Sequence, residues 1–273
     1  MLGICLENVR KNAPLVHCIT NYVTVNDVAN VLLAVGASPI MADEPEEAAD
    51  ITAICSGLNI NMGTLNTRTI ASMIAAGRRA QELGHVLLLD PVGAGASRLR
   101  TETAGRLMEE LHFDVIRGNS SEIKCISQVG SRSRGVDANA EDAVTEQNLP
   151  LSISFVKETA RKQGCIIVLT GAIDLVTDGE KCYVIRNGRP EMSRITGTGC
   201  QLSALLTAFL AANPEHKLEA AAAAVICMGL AGELAWECMA AGDGNAAYRN
   251  RIIDTIYNMT GTILEQGANY EIK

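Results

Sequence analysis

Aromatic side chains are scarce in this sequence, with one Trp, five Tyr and three Phe among 273 residues. Hydrophobic residues still make up 48%, so the core has to be assembled from closely packed Ala, Leu, Ile and Val. A chain of this size buries about 75% of the surface its unfolded form exposes, and needs neither disulfides nor structural metal to hold a core. Basic charge is also short: 23 Lys and Arg against 31 Asp and Glu leave a net charge of −8. A nucleic-acid partner requires a basic face that displaces counterions from phosphate, and this balance argues against one. A single nucleotide is a different matter, because a few Arg and backbone N–H groups suffice to hold it. The nine Cys are odd in number and form no C-x-x-C pair, which argues against a disulfide framework and a zinc site. A reducing cytoplasm is the expected compartment. The four His (17, 85, 112 and 216) show no ligand spacing and carry no assigned role.

Other absences narrow the field further. The longest apolar stretch, Leu218 to Met239, is interrupted by Gly229, Gly232, Glu233 and Glu237. It reads as a buried Ala-rich helix, so no membrane span is expected. The segment MLGICLENVRKN is too short and polar for a signal peptide. No Gly-Lys dipeptide occurs, so there is no Walker A loop. Gly93-Ala94-Gly95 leads to Arg98 where a dinucleotide fingerprint needs Gly, which leaves Rossmann binding weakly supported. No internal repeat is visible beyond Ala220 to Ala224.

What is present is an alternation of helical and short apolar segments. Helical spacing covers Asn26 to Val35, a stretch opened by Pro45-Glu46-Glu47, Thr67 to Leu83, Thr101 to Leu111 and Ser152 to Gln163. Between these lie apolar runs at Pro39 to Met41, Leu58 to Met62, Val86 to Leu89, Asp114 to Ile116 and Ile166 to Leu169. Asp174 to Thr177 and Lys181 to Ile185 flank Asp178-Gly179, a hairpin signal. From Cys200 onward the pattern is almost all helix. A polar loop, Gly130 to Gly135, is followed by a polar stretch to Glu146, and the pattern then resumes unchanged. One domain spanning residues 1–273 is expected. Strands alternating with helices imply an α/β fold with a largely parallel sheet covered on both faces. Ligands then bind beyond the carboxyl ends of the strands, where Gly63-Thr64, Asp90-Pro91, Arg117-Gly118-Asn119 and Thr170-Gly171 follow their apolar runs.

Arg194 to Leu210, RITGTGCQLSALLTAFL, is the sharpest segment. Gly197-Thr198-Gly199-Cys200 enters a helix directly, and such a turn offers unpaired N–H groups and the positive end of a dipole to a phosphate. Cys200 falls in the first turn, where a thiolate is favoured. The plain alternative is a tight turn followed by a buried cysteine. Asp90, after a buried strand, and Glu122, after another strand end, are the metal candidates, with oxygen ligands suited to magnesium. Glu122 also reads as the acid of a helix-capping box with Asn119, and the two readings stand about even.

The linked segments HCITNYVTVNDVANVLLAVGASPIMA, NMGTLN, LDPVGAGAS, VIRGNSSEI, VLTGAIDLVTDG and RITGTGCQLSALL lie within Pro14 to Tyr257. With them the chain resembles the hydroxyethylthiazole kinases, a branch of the ribokinase-like superfamily. The resemblance implies an α/β/α sandwich with a mostly parallel central sheet flanked by helices. It implies a homotrimer with active sites at the subunit interfaces. The implied reaction, in thiamine biosynthesis and salvage, moves the γ-phosphoryl group of ATP, with Mg2+, to the hydroxyl of 4-methyl-5-(2-hydroxyethyl)thiazole. By motif, Met41 and Gly197 line the thiazole pocket, joined by Asn21 and Gly63. Arg117 and Thr170 contact the nucleotide, Gly199 belongs to the turn that holds its phosphates, and Asp90 and Glu122 hold magnesium. Cys200 stands where most ribokinase-like enzymes carry an aspartate base. Two rivals remain open: another ribokinase-like alcohol kinase, such as one acting on a hydroxymethylpyrimidine, and a non-catalytic thiazole- or nucleotide-binding protein.

Overall fold

The computed structural model describes residues 1–128 and 143–273. Most of the polar loop expected from Gly130 onward therefore lies outside the described residues. The chain opens with α1 (Leu2–Asn12), β1 (Leu15–Ile19), α2 (Val25–Val35), β2 (Ser38–Ile40), α3 (Ala48–Ala53) and β3 (Gly57–Asn61). It continues through α4 (Thr67–Leu83), β4 (Val86–Asp90), α5 (Arg98–Glu110), β5 (Val115–Asn119) and α6 (Ser120–Ser127). Then come α7 (Leu149–Gln163), β6 (Ile166–Thr170), β7 (Asp174–Thr177) and β8 (Cys182–Ile185). The chain ends with α8 (Thr198–Ala212), α9 (Lys217–Glu237), α10 (Asn245–Asn258), α11 (Gly261–Gly267) and β9 (Tyr270–Ile272).

The strands make one sheet in the order β2-β1-β3-β4-β5-β6-β7-β8-β9. Strands β1 to β6 pair in parallel, and β7, β8 and β9 join antiparallel. Successive side chains of a strand point to opposite faces, and the two cores follow that rule. Val86 and Leu88 of β4, with Ile166 and Val168 of β6, pack under residues of α1, α2, α8 and α9. Leu87 and Leu89, with Ile167 and Leu169, pack under α4, α5 and α7 on the other face. The result is the α/β/α sandwich expected. Local chemistry fixes where the helices begin and end. Asn66 caps α4 through a reciprocal box with Thr69, Ser97 caps α5, and Gly84 ends α4 in the left-handed conformation.

The apolar run in α9 is a core helix, with 83% of its most apolar window buried inside the protein. Its alanines let α9 lie close to α1, α8 and α10. Some elements differ from the sequence reading. Pro45-Glu46-Glu47 forms a turn, and α3 starts only at Ala48. Helix α7 begins earlier than expected, with Pro150 in its first turn, where the missing N–H costs no helical bond. Strand β9 follows a long helical stretch and closes onto β8 by register contacts such as Tyr183 with Ile272. Three residues are too short a signal for such a strand to be read in advance.

Candidate active site

Strands β1, β3, β4, β5 and β6 are parallel, so their carboxyl ends share one edge of the sheet. Helix α8 packs across β1, β3 and β4 and brings its N-terminus to that edge. The register sets Asn61 directly beside Asp90 and Asn119 beside Thr170. The polar strand ends noted in the sequence are thereby assembled into one cluster.

Cys200 lies at the centre of this cluster. Its Sγ receives the amide of Asn21 at 3.1 Å and the amide of Asn61 at 3.2 Å. Asn61 Nδ2 also donates to Asp90 Oδ2 at 2.7 Å. Asn61 Oδ1 accepts from Asn21 Nδ2 at 3.0 Å and from the Gly63 amide at 2.9 Å. Those two donors fix the orientation of the Asn61 amide, because a flipped group would face N–H with N–H. Thr24 Oγ1 donates to Asn21 Oδ1 at 3.1 Å, and the Asn21 amide is oriented by Asn61 Oδ1, which requires an N–H toward it. The first-turn position suggests a favoured thiolate, but the structure moves the balance the other way. Burial pushes the Cys200 thiol up first, and the neighbouring Asp90 charge pushes it further, against hydrogen bonds from Thr24, Asn21 and Asn61. In the free protein the thiol form is therefore favoured at neutral pH.

Asp90 is completely buried, and burial raises its carboxyl from the ordinary 3.8 to about 6. Arg117, the Ser203 hydroxyl and the Asn61 amide pull it down, while Glu122 adds to the rise. Ser203 Oγ lies 2.8 Å from Asp90 Oδ2. Asp90 Oδ1 has no hydrogen-bond partner among the described residues, and Arg117 Nη1 is 3.7 Å from it. Arg117 Nη2 donates to Thr170 Oγ1 at 2.7 Å. A Cβ on Gly199 would come 2.5 Å from Arg117 Nη1, so a side chain there would displace the guanidinium from this position. Arg117, Thr170 and Gly199 line one end of a cleft of about 510 Å³, and Leu202, Val225 and Met228 line its apolar wall.

Glu122 realises the capping box: Asn119 Oδ1 accepts from the Glu122 amide at 2.9 Å, and Glu122 Oε2 accepts from the Asn119 amide at 2.8 Å. Its Oε1 also accepts from Gly93 N at 2.9 Å. No group of three or more His, Cys, Asp or Glu suited to a metal occurs among the described residues. The residues still fit magnesium, which is commonly held by one or two carboxylates, waters and substrate phosphates. Asp90 Oδ1 is a buried acceptor lacking a donor, and each oxygen of Glu122 keeps a lone pair for a water.

Gly197 precedes α8 with φ +87°, and a Cβ there would run into Thr24. No side chain caps the helix behind it, which leaves the N-terminus available to an anion. Asn21 and Gly63 touch the cluster directly. Met41 follows β2, one strand further out, and packs against the α1, α2, α8 and α9 core. His17, given no role, is buried with its ring nitrogens on Thr52 Oγ1 and Ala42 O. The sequence reading missed Asn61, Thr24 and Ser203. A signal for Asn61 was present: it is a polar residue inside an apolar strand of the sheet's centre. Ser203 is one helical turn from Cys200, a spacing that places both on one face of α8.

Comparison with known proteins bears on family and fold. The sequence model described as the hydroxyethylthiazole kinase family matches residues 6–262. A hydroxyethylthiazole kinase of Clostridium acetobutylicum is 54% identical over 271 residues, covering 99% of each chain. One of Clostridium beijerinckii is 49% identical, covering 97% of this chain and 95% of its own. Among solved structures, a hydroxyethylthiazole kinase protein from Pyrococcus horikoshii superposes with a TM-score of 0.88 at 32% identity, covering 100% of this chain and 98% of that one. A ribokinase-like superfamily protein from Enterococcus faecalis, 14% identical with a TM-score of 0.63 over 96% of this chain and 89% of its own, shares the fold.

Proposed function

The chain belongs to the hydroxyethylthiazole kinase family, and from that membership we propose that it transfers the γ-phosphoryl group of ATP to the hydroxyethyl oxygen of 4-methyl-5-(2-hydroxyethyl)thiazole, in thiamine biosynthesis and salvage. The observation that carries this reading is the meeting of Cys200, Asp90 and the uncapped N-terminus of α8 beside the Arg117–Thr170 cleft. ATP lies in that cleft with its phosphates toward Arg117, Thr170 and Gly199. The thiazole alcohol lies on the Asn21, Gly63, Met41 and Gly197 side. Its hydroxyl then faces Cys200 Sγ and the γ-phosphorus together.

Phosphoryl transfer passes through a loose transition state, so the protein acts mainly by placing groups and offsetting charge. The alcohol oxygen forms its bond to phosphorus as the bond to the β-phosphate oxygen breaks, and ADP leaves. Cys200, as thiolate, takes the alcohol proton late in that step. The N–H groups at the start of α8 and the Arg117 guanidinium stabilise the charge on the moving phosphoryl oxygens. Magnesium, when bound, supplies positive charge on the polyphosphate, and Asp90 and Glu122 are the residues that would hold it, directly or through water.

The working form in this reading is a cytoplasmic homotrimer with sites at subunit boundaries. In support, Tyr22 and Val23 follow Asn21 with relative exposures of 65% and 64%, an apolar edge next to the pocket that a neighbouring subunit would cover. The test is ADP release with ATP, magnesium and a panel of alcohols that includes the thiazole and a hydroxymethylpyrimidine. The reading expects turnover with the thiazole, and faster turnover with the pyrimidine would replace it.

A further inference from the structure

Arg100 lies outside every motif assigned above, in the first turn of α5. Its guanidinium reaches back to the ends of two strands. Nη1 donates to Met62 O at 2.5 Å and to Val92 O at 2.6 Å, and Nη2 donates to Gly63 O at 2.7 Å. Both protons of Nη1 are thus committed, to carbonyls that follow β3 and β4. Among the described residues no carboxylate pairs with Arg100. An arginine that grips three main-chain carbonyls and no acid serves geometry, since its planar fork holds several acceptors in one fixed arrangement.

What it fixes is the segment that touches the alcohol pocket. Gly63 N donates to Asn61 Oδ1, and Asn61 in turn donates to both Asp90 and Cys200. The Cα of Gly63 sits so close to Asn21 that a Cβ would fall 2.7 Å from the Asn21 amide nitrogen. The same Asn21 nitrogen lies 3.1 Å from Cys200 Sγ. Movement of Gly63 is therefore transmitted to both amides that face the sulfur. Backbone bonds reach this turn through Met62 N to Asp90 O and Val92 N to Asp90 O. The carbonyls of Met62, Gly63 and Val92 are taken by Arg100.

We infer that Arg100 is a positioning residue that clamps the Met62–Gly63 turn to the segment after Asp90, and so sets the floor of the alcohol pocket. The effect on turnover rests on the assignment of Asn21 and Gly63 to that pocket; the clamp itself does not. Lysine, with one ammonium, cannot span the three carbonyls, and methionine keeps the stem without a donor.

The experiment uses the full-length protein as wild type, Arg100→Lys and Arg100→Met. Two quantities are measured: KM for the thiazole and for ATP, and hydrogen exchange by mass spectrometry over residues 61–67 in the absence of ligands. A displaced pocket floor weakens contacts to the alcohol in the ground and transition states alike, which shows as a raised KM. Arg100→Met is therefore expected to raise KM for the thiazole by roughly tenfold or more while KM for ATP stays within about twofold, with Arg100→Lys between. Exchange is expected to quicken in residues 61–67 and not across β7 and β8. Equal rises in both KM values, or quickened exchange throughout the sheet, would mean general loosening and overturn the inference. So would unchanged exchange at residues 61–67 in both variants. If wild type itself fails to turn over the thiazole, the pocket assignment falls, and the exchange result alone decides the clamp.

Discussion

Asn61 donates to Asp90 across 2.7 Å, from neighbouring positions in register on β3 and β4. The second proton of the same amide is directed at Cys200 Sγ, 3.2 Å away. One side chain thus joins the proposed base to the proposed metal carboxylate, and its orientation is fixed by the Asn21 and Gly63 donors. Asn61→Leu removes both bonds at similar volume and leaves Asp90 Oδ2 with Ser203 alone. Turnover is expected to fall by about 10²-fold, the scale of lost alignment, with KM for ATP little changed. Steady-state rates under varied ATP check this. An effect confined to a raised KM for ATP would show that Asn61 serves the nucleotide.

Asp90 carries a stability cost that can be measured without any substrate. Its folded value of about 6 lies above the ordinary 3.8, so the folded state holds a proton that the unfolded state has released. Stability is therefore lost as pH rises from about 4 through about 6, by roughly 3 kcal/mol when complete. Asp90→Asn lacks that loss. In ligand-free buffer at pH 7.5 it is expected to melt above wild type, while its turnover is almost abolished. Magnesium with ATP is expected to raise the melting temperature of wild type more than that of the variant. A variant less stable than wild type at pH 7.5 would contradict the buried-charge argument.

Cys200 offers a test by pH. Burial and the Asp90 charge raise its thiol, so the basic form grows as pH rises and the rate is expected to climb toward alkaline pH. Cys200→Ala removes the base, a loss that typically costs ~10²–10⁴-fold, and the low end is expected because the proton leaves late. Cys200→Asp replaces the thiol with a group of far lower ordinary value, about 3.9. Its rate is expected to be substantial at pH 7 and to rise at lower pH than that of wild type. An alanine variant as fast as wild type, with an inactive aspartate variant, would leave Cys200 only a packing role.

Glu122 combines two duties in the proposed account, and one variant separates them. Glu122→Gln keeps an oxygen for only one of the two amides now bound, those of Asn119 and Gly93. The one backbone hydrogen bond that is lost is expected to cost ~1 kcal/mol in unfolding free energy. The lost carboxylate is expected to weaken the response to magnesium, so that higher magnesium restores part of the rate. A rate insensitive to magnesium over that range would leave Glu122 with the cap alone.

Much of this arrangement is legible in the sequence because it follows from local rules. The parallel strands announce themselves as short apolar runs closed by polar or glycine residues, and Gly197 to Cys200 marks a helix entrance. The capping box of Asn119 and Glu122 is a spacing of three residues. What is not legible is partnership across the sheet. That Asn61 faces Asp90, or that Ser203 reaches Asp90 from 113 positions away, depends on register and on how α8 crosses the strands. The thiol of Cys200 shows the same limit: its helix position is readable, but its burial and its closeness to Asp90 are tertiary facts. Arg100 is hidden because its partners are backbone carbonyls, which carry no side-chain signature.

The most direct measurement follows the phosphorus itself. The protein is mixed with ATP, magnesium and 4-methyl-5-(2-hydroxyethyl)thiazole, and the reaction is followed by phosphorus NMR with mass analysis of the product. The account predicts a phosphate monoester of the thiazole alcohol appearing in step with ADP, in wild type and in Cys200→Asp, and almost none in Asp90→Asn. ADP accompanied only by inorganic phosphate, or no consumption of ATP in the presence of the thiazole, would contradict it.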